Sequence, residues 1–129
     1  MNDFCTPTTY EEARRMGVYW DWYSILLTSI GDRTRYIAID LLEKGNSIEN
    51  VYKAIGQSEE ESKLKNKDYW EKICAVIDDK EKFDMPGCFR KIINERIAEI
   101  AKKLKSIGIK LDQISEVTKL SIEEIEKIR

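Results

Sequence analysis

Two stretches of the chain decide the fold that we predict. Residues 38–61 read AIDLLEKGNSIENVYKAIGQSEEE, and residues 101–124 read AKKLKSIGIKLDQISEVTKLSIEE. Each stretch has apolar residues at helical spacing, then a glycine, a short apolar segment, and a serine followed three residues later by glutamate. Glycine is typical of a helix C-terminus, and the serine–glutamate spacing is typical of a helix N-terminus. Each stretch therefore predicts three helices around two tight turns, which is a helix-turn-helix-like unit.

The two stretches are related by a constant shift along the chain, which places position 33 on position 96. Under this shift, positions 33–61 and 96–124 align without a gap and share eight identities in 29. The identities fall on core apolar positions, on the glycine that ends the first helix and on the capping serine. We interpret this as an internal repeat, with a first repeat unit over residues 32–78 and a second over residues 84–129.

The remaining residues, 1–31, predict aromatic N-terminal helices that end at Gly17 and Gly31. Both prolines, Pro7 and Pro86, lie outside the periodic segments, and no segment alternates apolar and polar residues with the period of a strand. A chain of 129 residues is the size of one ordinary domain. The sequence thus predicts a single all-α domain over residues 1–129, a compact bundle of about seven or eight helices with two helix-turn-helix-like repeats.

Part of this pattern resembles a known family. The second repeat reads A-x-x-L-x-x-x-G over 101–108 and T-x-L-S-I-E-E-I over 118–125, and residues 41–49 look like the front of the same motif. This is similar to the helical C-terminal tail of the recombination-promoting nuclease (Rpn) family, which is associated with transposases. Lys119 and Lys105 depart from that tail, which usually has glycine and leucine there. The nuclease core is not recognisable, because the only Glu-x-Lys, at 61–63, lies at a predicted helix start. The resemblance implies an accessory module in a phage or mobile-element setting.

Composition excludes several classes of function. The chain has no histidine, which rules out histidine-based nucleophiles and histidine metal sites. No phosphate-binding glycine loop or nucleophile elbow is present, and the three cysteines include no C-x-x-C. We therefore expect no catalytic residues, no cofactor and no metal. The longest apolar stretch, at 24–30, is too short to span a membrane, and the N-terminus has no signal-peptide core. The expected location is the cytoplasm.

The N-terminal aromatic cluster is the candidate partner-binding surface. Aromatic residues and arginine dominate protein–protein hot spots, although packing in the core explains the same residues. Trp20 lies off the main apolar stripe and is the aromatic residue that we expect to be exposed. The predicted partner-binding residues are Arg14, Arg15, Tyr19, Trp20, Tyr23, Arg33 and Arg35.

A nucleic-acid interface is the alternative. Lysine and arginine cluster in two places that could contact phosphates: Lys63, Lys65, Lys67, Arg90, Lys91, Lys102, Lys103 and Lys105. However, glutamates at 59–61 and at 123, 124 and 126 occupy the first turns of the helices that would enter the major groove, where they would repel a polyanion. The sequence therefore favours a small non-enzymatic regulator or inhibitor that acts on a protein partner, with a homodimer as one arrangement, over a nucleic-acid-binding regulator.

Overall fold

The computed structural model describes residues 10–79 and 83–128, with side chains from residue 15 onward. These ranges contain six α-helices and no strand, which confirms the all-α prediction but corrects the expected number of seven or eight. The helices are α1 (Tyr10–Glu43), α2 (Ile48–Ile55), α3 (Glu59–Asp78), α4 (Met85–Ser106), α5 (Leu111–Thr118) and α6 (Ile122–Lys127).

The difference in number comes from α1. The sequence predicts three helices between residues 10 and 43, with breaks at Gly17 and Gly31, but the helix is continuous over 34 residues. Among the described glycines, neither Gly17 nor Gly31 has positive φ. A glycine inside a helix costs about 1 kcal/mol relative to alanine, which is a small penalty in a helix whose buried face is anchored along its length. That buried face consists of Tyr19, Tyr23, Leu26, Ile37 and Leu41.

The predicted stops at Gly45 and Gly108 are confirmed. Both residues are left-handed, with φ of +90° and +87°. After α1, Gly45 N–H donates to the Leu42 carbonyl and Asn46 N–H donates to the Leu41 carbonyl, at 3.0 and 3.1 Å. After α4, Gly108 makes the same bond to the residue three positions earlier, and the next N–H reaches five positions back. This pair of bonds is the Schellman motif, which satisfies the last carbonyls of a helix.

The serine caps predicted at Ser58 and Ser121 are confirmed, and α2 has a serine cap as well. Ser47, Ser58 and Ser121 each accept a hydrogen bond at Oγ from the backbone N–H three residues later, and each has extended backbone. Ser121 forms a full capping box, because Glu124 accepts a bond from the Ser121 N–H. Asp84 caps α4 in the same way, by accepting a bond at 2.9 Å from the backbone N–H three residues later. These caps satisfy donors that a helix N-terminus otherwise leaves unpaired.

Two compact units make up the chain. Unit 1 contains the residues up to Thr28 together with Gln57–Ile92, and unit 2 contains Ser29–Gly56 and Ile93–Arg129. The buried residues of unit 1 are mainly aromatic and come from α1, α3 and α4: Tyr19, Tyr23, Leu26, Tyr69, Trp70, Ile73, Met85 and Ile92.

Unit 2 has an aliphatic core. Its buried cluster is Ile37, Leu41, Val51, Ala54, Ile97, Ile100, Ala101, Leu104, Ile114, Val117 and Ile125. Several of these residues are counterparts under the repeat shift, such as Ile37 with Ile100 and Leu41 with Leu104. The helix bounds follow the same shift: α1 and α4 end at equivalent positions, α2 and α5 begin and end at equivalent positions, and α3 and α6 begin at equivalent positions.

Candidate functional site

A surface cavity of about 520 Å³ lies in unit 1. It is lined by Arg15, Val18 and Tyr19 from α1 and by Ile77 and Asp78 from the last turn of α3. Residues 15, 18 and 19 share one helical face, because three- and four-residue spacings bring side chains together. The cavity thus combines two aliphatic side chains with a phenol, a guanidinium and a carboxylate.

The polar side of this cavity is a closed hydrogen-bond network. The Tyr19 hydroxyl donates to Asp78 Oδ1 at 2.5 Å, while Arg15 Nη2 donates to the Tyr19 oxygen at 2.8 Å and lies 3.3 Å from Asp78 Oδ1. Asp78 is the last residue of α3, where the helix dipole disfavours a negative charge and no basic side chain occupies the last turn. Arg15 supplies the missing positive charge from α1.

The same network sets the protonation of Tyr19 and Arg15. Burial, and then the hydrogen bond to Asp78, raises the pKa of the Tyr19 phenol above its ordinary value. Hydrogen bonding to Tyr19, together with the Asp78 charge, raises the pKa of Arg15. At neutral pH, Tyr19 is therefore a neutral hydrogen-bond donor and Arg15 is a cation. The charges that these two side chains offer to a ligand do not change near neutral pH.

Most of the predicted aromatic surface is interior. Tyr19 and Tyr23 are buried, and both contact the Trp70 ring edge-on, with centroids 6.0 and 5.4 Å apart. Trp20 keeps 38% of its surface exposed, but its ring also packs on Tyr23 and Trp70 at 5.7 and 5.2 Å. The aromatic cluster thus forms the core of unit 1, and Trp20 lies at its edge.

The predicted arginines lie in different places. Arg15 borders the cavity, whereas the side chain of Arg14 is outside the described residues. Arg33 belongs to unit 2, where its Nη2 donates to the Thr118 carbonyl at 3.0 Å. Arg35 pairs with an aspartate one turn earlier on the surface of α1, at 2.5 Å. The structure therefore brings Arg15 and Tyr19 together at the cavity of unit 1, whereas Arg33 and Arg35 belong to unit 2.

The basic residues of the alternative interface belong to both units. Lys63 pairs with Glu59 one turn earlier, at 3.4 Å. Lys105 directs its ammonium at the end of α6, where it donates to three carbonyls at 3.0–3.3 Å. The other members are divided between the units: Arg90, Lys91, Lys65 and Lys67 belong to unit 1, whereas Lys102 and Lys103 belong to unit 2.

The two described cysteines, Cys74 and Cys88, are free and partly buried. Desolvation raises the pKa of both thiols, which lowers the fraction of reactive thiolate at neutral pH. In the described ranges, no three cysteine, aspartate or glutamate residues come close enough together to hold a metal ion.

Sequence reasoning missed an exposed apolar face in unit 2. Ile48 and Tyr52, one turn apart on α2, are 78% and 71% exposed, and Leu42 near the end of α1 is also exposed. In the sequence, Ile48 lies at helical spacing with Val51 and Ile55, and this pattern favours a core position for Ile48. Alignment of the two stretches contained a signal for this face. Tyr52 aligns with Ser115, and a polar residue at the aligned position indicates that this position does not belong to the core.

Comparison with known proteins identifies no relative: no family model, curated protein or solved structure matches the chain. Among the helices of the described ranges, none has the length and apolar character needed to cross a membrane.

Proposed function

We propose that this protein is a small non-enzymatic regulator that binds a protein partner through the unit 1 cavity. The observation that carries the proposal is the cavity itself, in which Val18 and Ile77 lie beside the Arg15–Tyr19–Asp78 network. A protein hot spot typically inserts one large apolar side chain into such a pocket and surrounds it with polar contacts. The partner that fits presents an apolar side chain to Val18 and Ile77 and a hydrogen-bonding group to Arg15 or Asp78.

The proposal of a non-enzymatic role is supported by the directions of the pKa shifts. A lowered pKa is one common way in which a tyrosine or cysteine is activated as a base or nucleophile. Burial instead raises the pKa of Tyr19, Cys74 and Cys88. Exposed glutamates in the first turns of α3 and α6 support a protein partner over the alternative nucleic-acid partner.

We also propose that residues 32–78 and 84–129 descend from one duplicated helix-turn-helix-like unit related to the Rpn tail, in a mobile-element context. The offset that the helix bounds share with the sequence repeat supports the duplication. The free thiols of Cys74 and Cys88 support the cytoplasm as the compartment, because disulfides are rare there.

The test compares a cavity variant with a matched surface variant. Val18→Glu places a charge in the cavity, and Leu64→Glu places the same charge at a 70% exposed position of unit 1 outside the cavity lining. Both side chains are exposed, so circular dichroism should show unchanged helix content. In quantitative affinity capture from cells of the source organism, we expect one protein to bind the wild type and Leu64→Glu and to be lost with Val18→Glu.

The competing nucleic-acid function has its own readout. Fluorescent duplex and single-stranded DNA are titrated with the wild-type protein at two salt concentrations. Phosphate contacts make affinity fall steeply with salt. Tight, salt-dependent binding, together with capture that Val18→Glu leaves unchanged, would favour the nucleic-acid regulator and reject the cavity.

A further inference from the structure

The last helix, α6, is held against the second repeat by contacts within unit 2. Ile125 is fully buried in the core of that unit. Lys105 Nζ donates to the carbonyls of residues 125, 126 and 128 at the C-terminal end of α6, and the first of these carbonyls also accepts from the Ile128 backbone N–H. Ser115 Oγ donates to the Leu120 carbonyl at 2.6 Å, in the turn that leads into α6. Positions 105 and 115 therefore mark the place where α6 lies.

The equivalent positions of the first repeat form an exposed surface. The counterparts of Lys105, Leu111 and Ser115 under the repeat shift are Leu42, Ile48 and Tyr52, which we call the α2 face. Leu111 packs against the core of unit 2, whereas all three residues of the α2 face are exposed.

The backbone after α2 differs from the backbone after α5. Lys119, which ends α5, is left-handed with φ of 65°, whereas its counterpart Gly56 has φ of −62° and extended backbone. The counterpart of the buried Ile125 is Ser62, which cannot fill an apolar core position. The chain from Gln57 onward consequently belongs to unit 1.

We propose that the α2 face binds an amphipathic α-helix of a partner protein in the position that α6 occupies on the second repeat. This site lies in unit 2 and does not depend on the proposed function of the unit 1 cavity. At both positions where the second repeat anchors its own segment with a polar group, Lys105 and Ser115, the first repeat has an apolar side chain, Leu42 and Tyr52. Polar anchors suit a helix that ends there, whereas exposed apolar and aromatic side chains suit an interface with another molecule.

The composition of the α2 face also defines its partner. Leu42 stands at the position equivalent to Lys105. This position therefore has no ammonium that could donate hydrogen bonds to the terminal carbonyls of a bound helix. The partner helix therefore continues past Leu42, with its carbonyls bonded internally, and contacts the α2 face with apolar residues at three- and four-residue spacing. The acidic six-residue α6 of a second copy fits poorly, since its end is already bonded to Lys105 of its own chain.

Charges near the α2 face contribute little to selection. Glu49 pairs with Lys53 at 3.2 Å on α2 itself. This pair is exposed, so its field is weak and screened. Apolar burial should dominate binding, and the affinity for a helix should change little with salt.

The experiment uses the full chain and a fluorescent amphipathic peptide with leucine at positions i, i+3, i+4 and i+7, longer than the roughly 15 residues below which isolated helices are marginal. A scrambled peptide of the same composition is the control. In anisotropy titrations we expect the wild type to bind the patterned peptide only. Ile48→Glu and Tyr52→Glu should each weaken binding at least tenfold, whereas Leu64→Glu, an equally exposed apolar position of unit 1, should leave it unchanged.

Several results would overturn the proposal. Wild-type protein that does not bind the patterned peptide, equal binding of the scrambled peptide, or equal loss with Leu64→Glu would each do so. Light scattering tests whether a second copy of the chain is the occupant. A wild-type dimer that Ile48→Glu converts to a monomer would show that a second copy covers the α2 face. Val18→Glu should not affect this binding, so failure here is distinguishable from failure of the cavity.

Discussion

Arg33 and Arg96 make equivalent hydrogen bonds: each donates to the carbonyl of the last residue of a short helix on the other side of unit 2. Arg33, in the first repeat, donates from Nη2 to the carbonyl of Thr118, the last residue of α5; Arg96, in the second repeat, donates from Nη2 to the carbonyl of Ile55, the last residue of α2. The two arginines are counterparts under the repeat shift, and so are the two acceptors. Each guanidinium thus satisfies an unpaired terminal carbonyl and places a positive charge at the negative end of a helix.

The two segments of unit 2, Ser29–Gly56 and Ile93–Arg129, therefore make equivalent hydrogen bonds to each other, as the subunits of a two-fold symmetric dimer do. In an isologous interface, residue i of one subunit contacts residue j of the other, and the reverse contact is also made. The Arg33–Thr118 and Arg96–Ile55 bonds fulfil this condition within one chain.

Removing Arg96 should cost more stability than removing Arg33. Arg96 is only 5% exposed, and Arg96→Ala removes a charged hydrogen bond and leaves the Ile55 carbonyl unpaired. We expect a loss of about 2–3 kcal/mol in the free energy of unfolding, measured by urea denaturation. Arg33 is half-buried, so Arg33→Ala should cost about 1 kcal/mol. Equal losses in the two variants would contradict the burial argument.

Alanine substitution should have opposite effects at two pairs of glycines. Gly45 and Gly108 have positive φ, where a side chain costs about 1–2 kcal/mol. Gly17 and Gly31 lie inside α1, and a Cβ atom at either position would have no heavy atom within 4 Å. Gly17→Ala and Gly31→Ala should therefore raise stability by up to about 1 kcal/mol. Thermal unfolding measures all four variants, and destabilisation by Gly31→Ala would indicate that α1 bends there.

Lys119→Gly should stabilise the protein. Lys119 is the described non-glycine residue with positive φ, at the turn between α5 and α6. Glycine adopts this conformation without the steric penalty of a Cβ atom, and the expected gain is about 0.5–1 kcal/mol. Lys110→Gly is a suitable control, because Lys110 precedes α5 with ordinary extended backbone and should lose stability. Urea denaturation measures the free energy of unfolding of both variants. A lower value for Lys119→Gly than for the wild type would show that the Lys119 side chain makes a stabilising contact.

The network of Tyr19 with Asp78 should make stability fall at alkaline pH. Burial raises the pKa of Tyr19 above its ordinary value of about 10, so the unfolded chain releases this proton first. Below pH 10 the contribution to stability is complete, and it is lost as the pH rises from about 10 through the folded pKa. Tyr19→Phe should flatten this loss in urea denaturation measured across the alkaline range. Burial also raises the pKa of Tyr23, so part of the pH dependence should remain. An unchanged slope in Tyr19→Phe would contradict the assignment.

The surface of unit 1 was predicted only in part. The position of Trp20 off the apolar stripe predicts that it is exposed, and Trp20 is indeed more exposed than Tyr19 and Tyr23, the other aromatic residues of the predicted set. The same stripe could not show that Tyr19 and Tyr23 lie under Trp70, because this contact joins residues about fifty positions apart. Helical periodicity shows which residues share a face, but not which face another helix covers.

The sequence by itself determined the ends of the helices. The stops at Gly45 and Gly108 and the caps at Ser58 and Ser121 depend on backbone conformation and on hydrogen bonds over three to five residues, so local chemistry decides them. Only the tertiary structure decided that α1 continues through two glycines, that Arg15 meets Asp78 and that Ile125 of α6 is buried in the core of unit 2. These features depend on packing between segments that are far apart in the sequence. The free energy of this packing exceeds that of the local helix preferences, and no short segment of the sequence shows which distant segments will meet.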